Sequence, residues 1–416
     1  MKRYLSGESV NTVLLLALLF FCQFLFPAGE PALGPYKDWM VYLRETGLST
    51  IFERVSDQYG PGTYLVLALV NWLTDAVPLP MFQAYKYVQF GFVVLTLLVA
   101  AAISGSLVRA QLLILLLAVN SVYFPSIDIL YTPFSIYALW ALSRRQHMGF
   151  AAAFLAGCLC KYQPLIFAPI LAACLLRRLI VAWKASPTQA LQLLGALALP
   201  TVVLLGGSFV IFGITWPLSG VRALEPYAAA MSAYSFNLHW LLSFVLQAAD
   251  GRLATTNGVV VIQSTTDLDV TVSRIVLFAT MLWLAVLYWR RPDTPRNLFV
   301  FSAAVYLAYY IIPATVFANH LQGALAPLFL LATDRPGRAW LTFWGMVLSM
   351  SLILFIVWPH PRVWWGLDIS VIFSLVSVGA FGLYIARVCL ARETPASEIG
   401  DQDAPSPSRP LPLPQG

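Results

Sequence analysis

The sequence predicts an all-α fold, a polytopic bundle of about 11–13 transmembrane helices with two large extracytoplasmic loops carrying short amphipathic helices. Three observations predict it. Of the 416 residues, 59% are hydrophobic, and the mean hydropathy is +0.76; a soluble domain is roughly 45–50% apolar. The apolar residues come in continuous runs near the ~20 residues a helix needs to cross a bilayer, unlike the short alternating segments of a membrane barrel. Basic residues cluster where runs end, as Lys2-Arg3, Arg144-Arg145, Arg177-Arg178, Arg290-Arg291 and Arg335 with Arg338, which is the positive-inside pattern. The formal charge of +6 therefore speaks for membrane lipids as surroundings, with no nucleic acid as partner.

Taken in order, residues 1–28 have the basic start and apolar run of a signal peptide. No small-residue cleavage site follows, so they read as a retained first helix over about 10–28. The loop 29–60 holds Lys37, Asp38, Arg44, Glu45, Glu53, Arg54 and Asp57 in a chain that is only 11% charged. Within it Trp39, Met40 and Leu43 share one helical face, while Asp38, Tyr42 and Glu45 share another. Gly47 should break this helix. Thr50 and Glu53 have capping-box spacing before the apolar face of Ile51, Phe52 and Val55. Two short amphipathic helices at the interface fit this pattern.

Further spans are expected near 61–77, 84–103, 107–123, 128–142, 149–176 and 190–213. A second loop, 214–272, carries Trp216, Arg222, Glu225, Tyr227, Asn237 and His239, and its apolar piece 239–248 suits the interface. Later spans fall near 273–289, 298–318, 320–332, 340–358 and 367–390. Residues 1–391 form one domain. The tail 392–416, rich in Pro, Ser and charge, is expected to be disordered and cytosolic. No internal repeat is visible.

Topology turns on residues 149–176. As one helix kinked at Pro164 they leave an even number of spans between the two loops, both outside, but strand Arg144-Arg145 on the outer side. As a hairpin with Lys161 at the outer apex they put both arginine pairs inside, and the count then closes only if 61–77 re-enters. The preferred expectation is the kinked helix with one violation, because the charge rule is statistical.

Several residues are candidates for chemistry. Asp38, held near an apolar interface, suits a general base; it is equally placed to pair with Lys37 or Arg44, and Asp57 competes for the role. Lys161 lies inside an apolar run, where a charge costs about 2.5–3.5 kcal/mol and marks function by default; a phosphate is its natural counter-ion, and snorkelling to the interface is the plainer alternative. His320 sits between two spans at the outer edge and could bond a phosphate or a sugar hydroxyl. Arg222, Glu225, Asn237 and His239 are polar groups of the second loop with the same capacity, or solvated loop residues. Asp267-Leu-Asp269 is a weak metal pattern in a polar loop. The five cysteines fall in or beside apolar runs and read as packing. No P-loop, G-x-G-x-x-G, H-E-x-x-H or G-x-S-x-G is present.

Four stretches together resemble the GT-C superfamily of membrane glycosyltransferases, within it the polyprenol-phosphate mannosyltransferase type. They are Lys37-Asp38-Trp39 after the first span, Gln58-Tyr59-Gly60-Pro61 opening the second, Cys160-Lys161-Tyr162-Gln163-Pro164 within a later run, and Asn319-His320-Leu321 at an outer edge. The resemblance covers about residues 10–335. It implies transfer of mannose or another hexose from a polyprenyl-phosphate donor to a glycan or glycolipid acceptor on the extracytoplasmic face, with no cofactor and no metal. It makes Asp38 the base and Lys161 and His320 donor-phosphate contacts; Tyr42, Tyr59, Arg222, Asn237 and His239, in or beside the two loops, are further candidate substrate contacts. A flippase for a lipid-linked oligosaccharide, or a polysaccharide polymerase or ligase, is the competing class. The absence of N-x-S/T sites and the compact loops point to a bacterial inner membrane.

Overall fold

A computed structural model describes residues 7–25, 34–54, 59–217, 230–233, 235–354 and 363–390. Arg222, Glu225, Tyr227, Asp57 and the tail 392–416 lie outside the described residues. The described chain is almost wholly helical, with two short two-stranded pairings. Five helical segments are long and apolar enough to cross a membrane: Met81–Ser104, Gln163–Ala185, Pro187–Phe212, Asp267–Trp289 and Ile369–Arg387.

The helices run between two ends of one bundle. Helix α1 (Gly7–Leu25) starts beside α6 (Leu107–Ala118), where Gln111 donates to Thr12 at 2.7 Å, and finishes where Lys86 of α5 (Met81–Ser104) donates to the Gln23 carbonyl. Helix α7 (Thr132–Ser143) turns through Arg144–Gln146 into α8 (His147–Cys160). Arg145 takes a left-handed backbone there, φ 61°, a conformation costing a non-glycine residue about 1–2 kcal/mol. Then come α9 (Ala168–Ala185) and α10 (Pro187–Phe212), with Ser186 capping α10 through the Thr188 N–H.

The kinked-helix expectation for 149–176 is overturned: α8 and α9 form a hairpin. Lys161 is extended (φ −152°, ψ 142°) and Pro164 follows in a 3-10 turn, Gln163–Phe167; proline removes a backbone donor and clashes with the preceding turn, so the helix cannot continue. Arg178 then returns to the level at which α8 began, donating to the Leu142 carbonyl and forking onto Asp293 at 2.9 and 3.1 Å. Arg145, Arg177, Arg178 and Arg291 thereby gather at one end, here the arginine end.

The expected span over 61–77 is corrected too. Helix α4 (Pro61–Ala76) begins against the apex of the α8–α9 hairpin and lies along α2 (Gly34–Thr46). Asn71 donates to the Met40 carbonyl at 2.7 Å, and Arg44 pairs with Asp75 at 2.9 Å. The chain then enters α5 at the same end, four residues later. Helix α4 is therefore a rising helix of the far end, and the parity closes with every arginine pair on one side.

Local expectations fared variously. Helix α2 ends at Thr46, and Gly47 turns it with φ 79°. Trp39, Met40 and Leu43 are buried, joining Ile51 and Phe52 of α3 (Ile51–Arg54) in a second core with Tyr64, Tyr85 and Phe212. The capping box at Thr50 does not form. Thr50 already lies in a 3-10 turn, so its hydroxyl donates back to the Thr46 carbonyl at 2.9 Å.

The second half repeats the alternation. Helix α11 (Leu238–Ala249) and the single turn α12 (Arg252–Thr255) stay at the far end. Helix α13 (Asp267–Trp289) runs to the arginine end and α14 (Pro295–Ile311) returns. A 3-10 segment, Ala318–Ala324, leads into α15 (Leu325–Leu331); α16 (Arg335–Leu352) and α17 (Ile369–Tyr384) follow. Strand β1 (Ser232–Ala233) pairs in parallel with β2 (Val316–Phe317), tying the second loop to the segment before His320. Strands β3 (Val363–Trp364) and β4 (Leu367–Asp368) pair antiparallel ahead of α17. The paired carboxylates of the D-x-D pattern start α13, where Asp269 forms a capping box with Thr266.

Candidate functional site

The ends of the short helices bring a cluster of polar residues together at the far end. Helices α8 and α7 have 14 and 12 residues, so at about 1.5 Å per residue they rise only ~20 Å from the arginine end. Helices α5, α10 and α13 have 24, 26 and 23 residues and rise further. The turns capping the short helices meet there and form a buried polar floor.

Its centre is a buried ion pair. Asp128 lies in the 3-10 turn Ile127–Leu130 before α7, and Lys161 lies in the break between α8 and α9. The Lys161 ammonium donates to Asp128 Oδ1; the side chains are 6% and 0% exposed. Asn319 Nδ2 donates to Asp128 Oδ2 at 2.6 Å, and Ser126 Oγ donates to the same oxygen at 3.0 Å. Burying these charges is tolerable because both partners are present and the carboxylate is hydrogen-bonded on both oxygens. The lysine is also aligned over the Tyr59 ring, 5.2 Å from its centroid, and the Tyr59 and Lys161 backbones form an antiparallel bridge.

Glycine permits this approach. A Cβ at Gly60 would collide with the Leu159 carbonyl, and one at Gly62 would come within 3.1 Å of Cys160. Thr63 then donates to the Cys160 carbonyl at 2.5 Å, so the start of α4 is bolted to the end of α8.

His320 is the second element. Its ring stacks on Tyr309 at 5.8 Å between centroids, and Nδ1 lies 3.2 Å from the Tyr309 hydroxyl. The Lys161 charge is close enough to act on it electrostatically. Below, Gln322 donates to Thr132 at 2.7 Å and accepts from Asn120. The floor is incompletely satisfied. Among the described residues Ser121 Oγ and Asn120 Oδ1 are buried without a hydrogen-bond partner, and Gln163, beside the Tyr309 hydroxyl, makes no bond of good geometry. Buried polar atoms in folded proteins usually have partners, so such a cluster suits a polar ligand.

Of the residues expected from sequence, Lys161, His320 and Tyr59 are brought together. Asp38 is on the exposed side of α2. It pairs with neither Lys37 nor Arg44; Arg44 is taken by Asp75. Its helix nonetheless reaches the floor's edge, since Tyr36 and Trp39 pack on Tyr59 at 6.2 and 5.2 Å between ring centroids. Tyr42 is half-buried one turn further on. Asn237 caps α11 by accepting from the Trp240 N–H at 3.0 Å. His239 is buried beside Ile312, away from the lysine. Their segment is tied to the site's elements by the β1–β2 pairing and by the Phe236 N–H, which donates to the Tyr310 hydroxyl at 3.0 Å.

Asp128 was missed. Lys161 was assigned a phosphate as its counter-ion, and the protein supplies its own. The signal was present: Asp128 is the single acid between Asp75 and Glu225, and a buried lysine requires a negative partner. The chain matches no protein-family model, and comparison with curated proteins finds no match.

Proposed function

We propose that this chain is a membrane glycosyltransferase of GT-C type, moving a hexose from a polyprenyl-phosphate donor to a glycan or glycolipid acceptor at the far end, opposite the arginine end. The observation that carries the proposal is Lys161: a lysine sunk about 20 Å from the arginine end, on a polar floor with unused hydrogen-bonding atoms. A bilayer core is about 30 Å thick, so with the arginines at the cytosolic interface this floor lies within the outer part of the membrane. A lipid-borne phosphate reaches that depth; a nucleotide sugar dissolved in the cytosol does not.

In this mechanism the acceptor hydroxyl attacks the anomeric carbon as the bond from that carbon to the phosphate oxygen breaks, with inversion. Asp38, exposed on the first turns of α2, takes the hydroxyl proton. Asp128 is a poor base because three donors already occupy its oxygens. The bonding electrons leave with polyprenyl phosphate, which departs ionised and needs no general acid. Lys161 shifts part of its interaction from Asp128 to that phosphate, and Asn319 keeps Asp128 satisfied meanwhile. Such preorganised charge is worth about 10²–10³ in rate. His320 and Tyr59 line the approach.

Membranes containing the protein are incubated with radiolabelled polyprenyl-phosphate mannose and polyprenyl-phosphate glucose. Wild type is expected to move label to a lipid or glycan acceptor. Asp38→Asn is expected to bind donor but lose transfer by about 10²–10⁴-fold, and Lys161→Gln to raise KM for donor. Normal product from Asp38→Asn removes Asp38 as the base. Label that changes leaflet without joining an acceptor replaces the transferase with a flippase.

A further inference from the structure

The arginine end holds a cavity that sugar transfer does not use. It has a volume of about 450 Å³ and lies between α8, α9 and α10, walled by Arg145, Arg177, Arg178, His147, Gln189 and Gln192. Among the described residues, Asp293 is the only carboxylate on its wall. Three guanidiniums against one carboxylate leave two positive charges, 3 − 1 = 2.

Their engagement differs. Arg178 is locked by its fork onto Asp293, and Arg177 donates to the Arg291 carbonyl. The Arg145 side chain makes no hydrogen bond or ion pair among the described residues, although its backbone is held in the left-handed turn that glycine would adopt without strain. His147 Nε2 is buried with no hydrogen bond. His147 also opens α8, whose first N–H groups have no intrahelical acceptor, and helix N-termini attract anions. Gln189 and Gln192, on the first turns of α10, add amide donors.

The remaining wall is apolar. Val181 and Leu193 line the cavity. Val181 is 63% exposed. It lies on a helical segment long and apolar enough to span a membrane, along which acyl chains would run.

We propose that this cavity binds the headgroup of an anionic phospholipid, with its phosphate at Arg145, His147 and the α8 N-terminus and its chains along Val181 and Leu193. Two unmatched charges suit a two-phosphate headgroup best. Basic pockets between helices on the cytosolic side recognise lipid headgroups of this kind.

The test uses the purified full-length protein in zwitterionic detergent, with retained lipid counted by native mass spectrometry and stability followed by thermal unfolding. The probes are cardiolipin, phosphatidylcholine and inorganic phosphate. Cardiolipin is expected to be retained and to raise Tm, phosphatidylcholine and inorganic phosphate to do neither. Arg145→Gln is expected to weaken cardiolipin retention about fivefold. Gln192→Leu, which keeps every charge, lowers it in the same direction, whereas Arg338→Gln, a charge removed at the same end but off the cavity, leaves it unchanged. Wild-type retention in both Arg145→Gln and Gln192→Leu overturns the proposal. So does an equal loss in Arg338→Gln, which marks a diffuse basic surface, and so does a full Tm shift from inorganic phosphate alone, which marks a soluble-anion site.

Discussion

The hairpin of α8 and α9 carries one buried cation near each end, and the two are held differently. At the arginine end Arg178 grips Asp293 with two parallel bonds, at 2.9 and 3.1 Å, with side chains 10% and 16% exposed. At the far end Lys161 meets Asp128 through a single ammonium, with both side chains more deeply buried. A guanidinium fork matches a carboxylate geometrically and fixes two elements together. An ammonium is a point charge with rotatable donors, able to exchange one oxygen partner for another. The arginine pair ties the α13–α14 turn to α9. The lysine pair sits where neighbouring polar atoms are still unsatisfied, which is where exchange with a ligand is useful.

The sharpest way to break the contrast is to remove one partner at the far end. Asp128→Asn leaves Lys161 buried without a counter-charge and is expected to cost about 3–5 kcal/mol, read as a fall in Tm in detergent together with lost transfer. The double variant Asp128→Leu with Lys161→Met should recover most of that stability and remain inactive. Recovery of activity in the double variant would show the pair to be purely structural. At the other end, Arg178→Lys keeps the charge but loses the fork, costing about 1.5–3 kcal/mol for a charge-assisted bond, with transfer per folded molecule unchanged. Gly60→Ala touches no charge. Its Cβ would strike the Leu159 carbonyl and prise α4 from α8, at about 1–3 kcal/mol, and the Tyr59–Lys161 contact and donor affinity should weaken together.

The smallest effect concerns pH. Burial works to raise the Asp293 carboxyl, but its bonds and charge interaction with Arg178 outweigh that and hold it below the usual carboxylate range. A carboxylate depressed on folding stabilises above its unfolded pKa, near 4, and that gain fades as pH falls through the lower folded value. The Tm difference between wild type and Asp293→Asn should thus stay constant from pH 5 to 8 and close only in stronger acid.

Much of this organisation was legible in the sequence. The helical membrane class followed from run length and composition, and the inward face of α2 from the spacing of Trp39, Met40 and Leu43. The end of that helix followed from Gly47. The apolar run at 61–77 looked like a crossing, but Pro61–Ala76, with Asn71 and Asp75 in its second half, is not among the five helices long and apolar enough to cross, and its contacts with Met40 and Arg44 place it along α2. Trusting that run as a crossing forced the wrong reading of the 149–176 hairpin, against charges that had the sides right. Lys161 was found because it interrupts an apolar run. Asp128 was not, because Ser126 and Pro125 beside it gave the look of an ordinary turn, and the separation of 33 positions from Lys161 closes only in three dimensions.

The non-crossing course of α4 has a practical consequence for mapping. A protease site placed between α3 and α4 and another at Pro78-Leu79-Pro80 are expected to be cut from the same compartment, although a greasy stretch of 16 residues separates them. Any scheme that flips the label at that stretch inverts the assigned side of each later loop until a second error cancels it.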